Sequence, residues 1–114
     1  LPLLGFTKLK QKLLSGEKKQ TIRKPRKKPL KEGDKIFVYY KLRTKECEKL
    51  GEAIITKIET KRLANISNDD AVKDGFKDRI LFLEVFRIMH PKAKLTDWFD
   101  VITFEWTQKE RVMF

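Results

Sequence analysis

Between Lys18 and Lys31, eight of fourteen residues are Lys or Arg and none is acidic, and two prolines, Pro25 and Pro29, lie among them. Within it, the stretch from Lys24 to Pro29, with four cations and both prolines, cannot form a buried element. Each cation would lose its hydration on burial, and proline lacks the N–H that a helix interior or central strand needs. The fold must therefore carry Lys24-Pro25-Arg26-Lys27-Lys28-Pro29 as an exposed loop and build its elements on either side. The prolines also stiffen that loop, so less chain entropy is lost when it docks on a partner.

The flanking sequence is rich in β-formers. Gln20-Thr21-Ile22-Arg23 reads as a short extended stretch. After a tight turn at Lys31-Glu32-Gly33-Asp34, Lys35 to Tyr40 reads as a strand. Arg43 to Leu50 is polar and is expected to be a loop or a hairpin connection. Ala53 to Ile58 is a second strong strand, with Leu63 as its alternative end, and Trp98 to Trp106 is a third. Three segments read as helical. Phe6, Leu9, Leu13 and Leu14 are spaced for a short amphipathic helix closed by Gly16. Ser67-Asn68-Asp69-Asp70 resembles a helix start, with the helix running to Lys73 and ending at Gly75. Arg79 to Met89 is apolar enough for a largely buried helix, bounded by Pro91. Local hairpins without repeating helix–strand alternation predict an α+β fold: a mixed sheet or small β-barrel with flanking helices.

At 114 residues the chain is the size of one domain, with a core expected over about residues 4–106. An apolar fraction of 40% excludes a wholly disordered chain, despite 38% charged residues. Cys47 is the single cysteine, so no intramolecular disulfide can form, which fits a reducing compartment. With one cysteine and one histidine, His90, the usual N and S ligand set for zinc is missing, and no metal or cofactor is expected. No apolar run approaches the ~20 residues of a spanning helix, and Leu1 to Phe6 is too short for a signal peptide core. A soluble, cytoplasmic protein is expected. The chain opens on Leu1 rather than Met, so its numbering is expected to start inside a longer chain.

The net charge of +11 points to the partner. So large an excess of one sign repels itself, and a polyanion relieves the repulsion. Salt-bridged surfaces of heat-adapted proteins balance their signs, whereas here 27 Lys and Arg face 16 Asp and Glu. Nucleic acid is therefore the expected partner. The expected contacts are Lys19, Arg23, Lys24, Arg26, Lys27, Lys28, Arg43 and Lys45, with Lys10, Lys12, Lys41 and Lys49 extending the positive surface. Tyr39, Tyr40, Trp98 and Trp106 are aromatic enough to stack on bases, although each also suits a core or a strand.

The run Gly16-Glu17-Lys18-Lys19-Gln20-Thr21-Ile22-Arg23, followed by Lys31-Glu32-Gly33-Asp34, resembles the signature of the ASCH family. The similarity continues at Arg43-Thr44-Lys45, Gly51-Glu52-Ala53, Asp74-Gly75-Phe76 and Phe99 to Trp106, and so spans about residues 4–106. It implies a PUA-like β-barrel with helices around a cleft, and RNA, tRNA or single-stranded, as the expected ligand. Some bacterial ASCH proteins are amidohydrolases on N4-acetylcytidine, and others are linked to ribonuclease activity. The hydrolase pattern would fall on Lys18, Thr21 and Asp74 as catalytic residues. The family carries Glu at the third position, and Asp74 shortens the reach of the carboxylate by one methylene.

Those residue types suit acid–base work. A Lys of lowered pKa serves as a base towards a Thr hydroxyl or a water. Neighbouring Lys19 and Arg23 push Lys18 down, Asp74 pushes it back up, and Arg23 suits an oxyanion or a phosphate. Cys47 lies between acids and has no nearby His in sequence, which argues against a nucleophile; His90 at a helix end suits a cap or surface role. Three readings are open: an RNA-binding module, a hydrolase on RNA or modified nucleosides, and an adaptor whose basic loop meets an acidic protein.

Overall fold

The computed structural model describes residues 2–6 and 10–109, so Leu9 of the expected first helix lies outside the described residues. In chain order the elements are β1 (Leu3–Phe6), α1 (Lys10–Ser15), β2 (Gln20–Arg23), β3 (Lys35–Tyr40), β4 (Glu48–Arg62), a 3-10 turn (Leu63–Asn65), α2 (Asn68–Lys73), α3 (Arg79–Met89) and β5 (Trp98–Lys109). The strands form one five-stranded sheet in the order β1-β3-β4-β5-β2. β1 runs parallel to β3, and the other pairs are antiparallel. The sheet curls into a half-barrel. Its two edge strands approach each other, because the Arg23 guanidinium at the end of β2 donates to the Gly5 carbonyl on β1, and Arg26 donates to the Leu3 carbonyl at 3.3 Å. Side chains bridge this seam where a ladder would close a full barrel.

Strand alternation gives the sheet two cores. Ile102 and Phe104 point into the curl, with Leu4, Phe6, Ile36, Val38 and Ile55, and Leu13 of α1 joins them. Phe99 and Val101 point the other way and, with Ile22, pack against Ala71 of α2 and Phe82 and Phe86 of α3. Phe82 is fully buried, its ring 5.5 Å from Phe76 and 5.2 Å from Phe86. Truncation of Phe82 to Ala should cost about 3–5 kcal/mol. A urea unfolding midpoint would read this, and a loss below about 1 kcal/mol would mean that α3 is not anchored through this ring.

The helix ends follow the sequence. Ser67 caps α2 with a full capping box to Asp70, and Asp78 caps α3 by accepting from the Leu81 amide at 2.8 Å. Gly16 (φ 84°) closes α1, and Gly33 (φ 89°) turns the chain into β3.

Three expectations are corrected. Phe6 belongs to a strand, since Leu3–Phe6 pairs with Phe37 to Tyr40, and the described part of the helix is Lys10–Ser15. β4 begins at Glu48, five residues before Ala53, so the connection after β3 is short. α3 is not largely buried. A helix lying on one layer buries one stripe, here Phe82 and Phe86, and leaves Ile80 70% and Ile88 77% exposed. No described helix is long and apolar enough to cross a membrane.

Candidate functional site

The seam between β1 and β2 opens into a cleft of about 610 Å³, closed on its far side by α3. Its polar groups come from a short stretch of chain. After α1, the backbone of Lys18 donates to the Lys12 carbonyl (3.0 Å), and that of Lys19 donates to Lys73 at the end of α2 (2.8 Å). This strap turns the Lys18 side chain inward. Its ammonium donates to the Asp74 carbonyl at 2.8 Å and to the Asp74 carboxylate. Asp74 is the C-cap of α2, and Gly75 behind it (φ 94°) accepts from Lys12 Nζ at 2.6 Å.

β2 supplies the rest. Thr21 and Arg23 alternate with Ile22, so Ile22 enters the α3 core while its neighbours face the seam. Arg23 Nε donates to the Thr21 hydroxyl at 3.3 Å, and the guanidinium lies 4.6 Å from the Phe6 ring centroid. Lys18 Nζ lies 5.6 Å from the same ring. One aromatic ring is thus flanked by two cations.

Lys18 and Asp74 are only 5% and 4% exposed, and Thr21 is buried too. Burial lowers the pKa of Lys18 to about 7, and the Arg23 charge adds to the shift. The Asp74 carboxylate in direct contact favours the charged ammonium and works against it. Burial first, and then Arg26, bring Arg23 down to about 10, so it stays charged at neutral pH.

Lys18, Thr21 and Asp74 therefore line one cleft, 56 residues of chain separating the paired Lys and Asp. The expected nucleic-acid contacts divide. Arg23 lies within the cleft, and exposed Lys24 is at its lining. Arg26, Lys27 and Lys28 follow on the exposed loop. Lys19 faces an adjoining hollow of about 460 Å³ that shares Lys12, Gly75 and Phe76 with the cleft. Arg43 and Lys45, on the exposed connection between β3 and β4, line neither space.

The walls are apolar: Phe6 from β1, Phe76 after α2, and Leu81, Phe82, Val85, Phe86 and Met89 from α3. His90 completes them, its ring 4.6 Å from Phe86. Burial first, and then the nearby Lys24 charge, hold its pKa below the ordinary value. Sequence reasoning gave His90 a capping or surface role. It is the C-cap of α3, and it also lines the cleft. The spacing Phe82, Phe86, His90 puts all three on one helical face, which was the available signal. Phe6 carried no such signal. Cys47 is exposed and does not line the cleft. Among the described residues, no group of three His, Cys, Asp or Glu side chains is placed to hold a metal ion.

No family model matches the chain, and no curated protein matches it. Among solved structures it is similar to protein EF3133 from Enterococcus faecalis V583, described by the family model DUF984. The TM-score is 0.66 and the identity 16%, over 91% of this chain and 72% of that one. At that identity the likeness shows the fold alone: α+β, with a five-stranded sheet curled into a half-barrel and a few flanking helices.

Proposed function

We propose that this chain binds RNA, seating a base in the seam cleft while the Lys24 to Lys28 loop holds the adjoining phosphates. One observation carries the reading: an aromatic-walled cleft holding buried Lys18 and half-buried Arg23 opens beside an exposed loop of four further cations and two prolines. About 610 Å³ lies within the ~300–1,000 Å³ common for small-ligand sites, ample for one base with its sugar. Apolar walls reward a flat ring, and the few buried polar groups fix its orientation. The fold likeness and the Gly16 to Arg23 motif together support the ASCH reading, in which RNA is the ligand class.

Titration of single-stranded RNA at several salt concentrations tests this. Each phosphate neutralised releases condensed counterions, so log K should fall against log salt with a slope near −0.7 per phosphate. With the loop engaged, a slope of about −2 to −4 is expected; absent or salt-insensitive binding would refute the reading.

A hydrolase reading is favoured by the convergence of Lys18, Thr21 and Asp74 in this cleft, with Lys18 brought to about 7. Neutral Lys18 would take a proton from water as its oxygen attacks an acyl carbon on a modified base. Arg23 would hold the oxyanion, and the amine would leave with the proton returned by Lys18. Release of acetate from N4-acetylcytidine, lost in Lys18→Ala and Thr21→Ala, is the expected result. Activity that survives both changes would remove this site from the chemistry.

A further inference from the structure

Four aromatic residues were candidates for base stacking, and their surroundings now differ. Trp106 is half-buried, packs on the core and donates its indole N–H to the Leu13 carbonyl at 3.1 Å. Tyr39 and Tyr40 are half-buried in β3, and Lys10 and Lys41 already lie 5.5 and 5.4 Å from the Tyr40 ring. Trp98 is different. It opens β5, is 52% exposed, and has the exposed Arg62 guanidinium 5.0 Å from its ring. The core at this end is filled by Phe99, so burial does not explain an indole here.

Register connects this residue to the cleft. Asp100 is directly opposite Arg23, which lines the cleft, and Trp98 shares the face of Asp100 two residues back along β5. Arg62 is opposite Trp98 on β4. From strand rise and spacing, Trp98 sits about 8 Å from Arg23 along the sheet, close to one nucleotide away. The exposed Lys24 follows Arg23 at the same end of the sheet. Asp100 lies between, its carboxylate accepting from the Thr60 hydroxyl at 3.1 Å. It repels phosphate, which directs the backbone to the Lys24 side and the base towards the indole.

We infer that Trp98 and Arg62 form a second base-stacking position for single-stranded RNA, taking the nucleotide next to the one in the cleft. This rests on the RNA reading above. Stacking suits the platform because an exposed indole offers a flat apolar face, and the adjacent guanidinium supplies charge towards the strand.

The test is binding of an oligouridylate of about ten nucleotides to the full chain, followed by anisotropy and by intrinsic fluorescence. Trp98→Ala should weaken affinity about five- to hundredfold, and Trp98→Phe should stay within about threefold of the wild type. RNA should quench the wild-type fluorescence. In Trp98→Phe the remaining signal, from Trp106, should not respond. If the wild type binds RNA in a salt-dependent way but Trp98→Ala binds equally well, or quenching persists in Trp98→Phe, the platform is overturned while the RNA reading stands. If the wild type binds no RNA, both fall. Quenching of Trp98 by polyglutamate but not by RNA would overturn the platform in favour of an acidic protein partner.

Discussion

Lys18→Ala should destabilise the protein by about 3–5 kcal/mol, among the largest losses available to a single change in this fold. The lysine and Asp74 are both buried, and removal of the lysine leaves the Asp74 carboxylate without its hydrogen-bond donor, charged or neutral, in a site shielded from water. Urea unfolding with an unchanged m-value would measure this. Replacement of both partners by apolar residues, Lys18→Met with Asp74→Leu, should recover most of the loss. A buried ion pair gains little over a well-packed apolar pair once desolvation is counted. The pH dependence has a definite sign. Lys18 has its folded pKa near 7, below the ordinary value of 10.5. Between those values the unfolded chain binds more protons, so this residue makes stability rise with pH across that window. The difference between wild type and Lys18→Ala should therefore grow from about pH 7 to pH 10. A flat or falling difference would mean that Asp74 outweighs burial and keeps the ammonium fully charged.

Charge reversal of the loop, Lys27→Glu with Lys28→Glu, should lower RNA affinity by about 25-fold or more at 0.1 M salt. Loss of two phosphate contacts should also flatten the salt slope by about 1.4. Both residues are exposed on the Pro-bracketed loop, so the fold should not notice the change. The same reversal at Arg43 and Lys45, which line neither the cleft nor its neighbouring hollow, should cost much less. Equal losses from the two pairs would indicate a diffuse electrostatic field with no defined path for the strand.

Much of this architecture was legible in the sequence. The helices at Asn68–Lys73 and Arg79–Met89 and the strands β2, β3 and β5 follow from capping residues, β-branched content and turn glycines. β1 was not legible. Leu3–Phe6 is four residues long, too short for a periodicity, and its strand character comes from parallel pairing with β3, a partner more than thirty residues away. The exposure of Ile80 and Ile88 was hidden for a related reason. α3 is apolar on several faces, and only the position of the sheet decides which stripe is covered. For the cleft, Lys18, Thr21 and Asp74 stood out through a motif, and His90 was signalled only by its helical spacing from Phe82 and Phe86, while Phe6 entered through tertiary contact alone. Sequence also grouped Arg43 and Lys45 with the loop cations. Charge composition carries no direction, and the β3–β4 turn sends them elsewhere.

The central claim is that the seam cleft receives a base of bound RNA. Amide chemical shifts of isotopically labelled protein, recorded as single-stranded RNA is added, test it most directly. The account predicts that the largest changes cluster at Phe6, Thr21, Arg23, Phe76 and His90, with Lys24 to Lys28 beside them. Shifts confined to the Arg43 to Lys45 turn or to the outer face of α3 at Ile80 and Ile88, with the cleft amides unmoved, would contradict it.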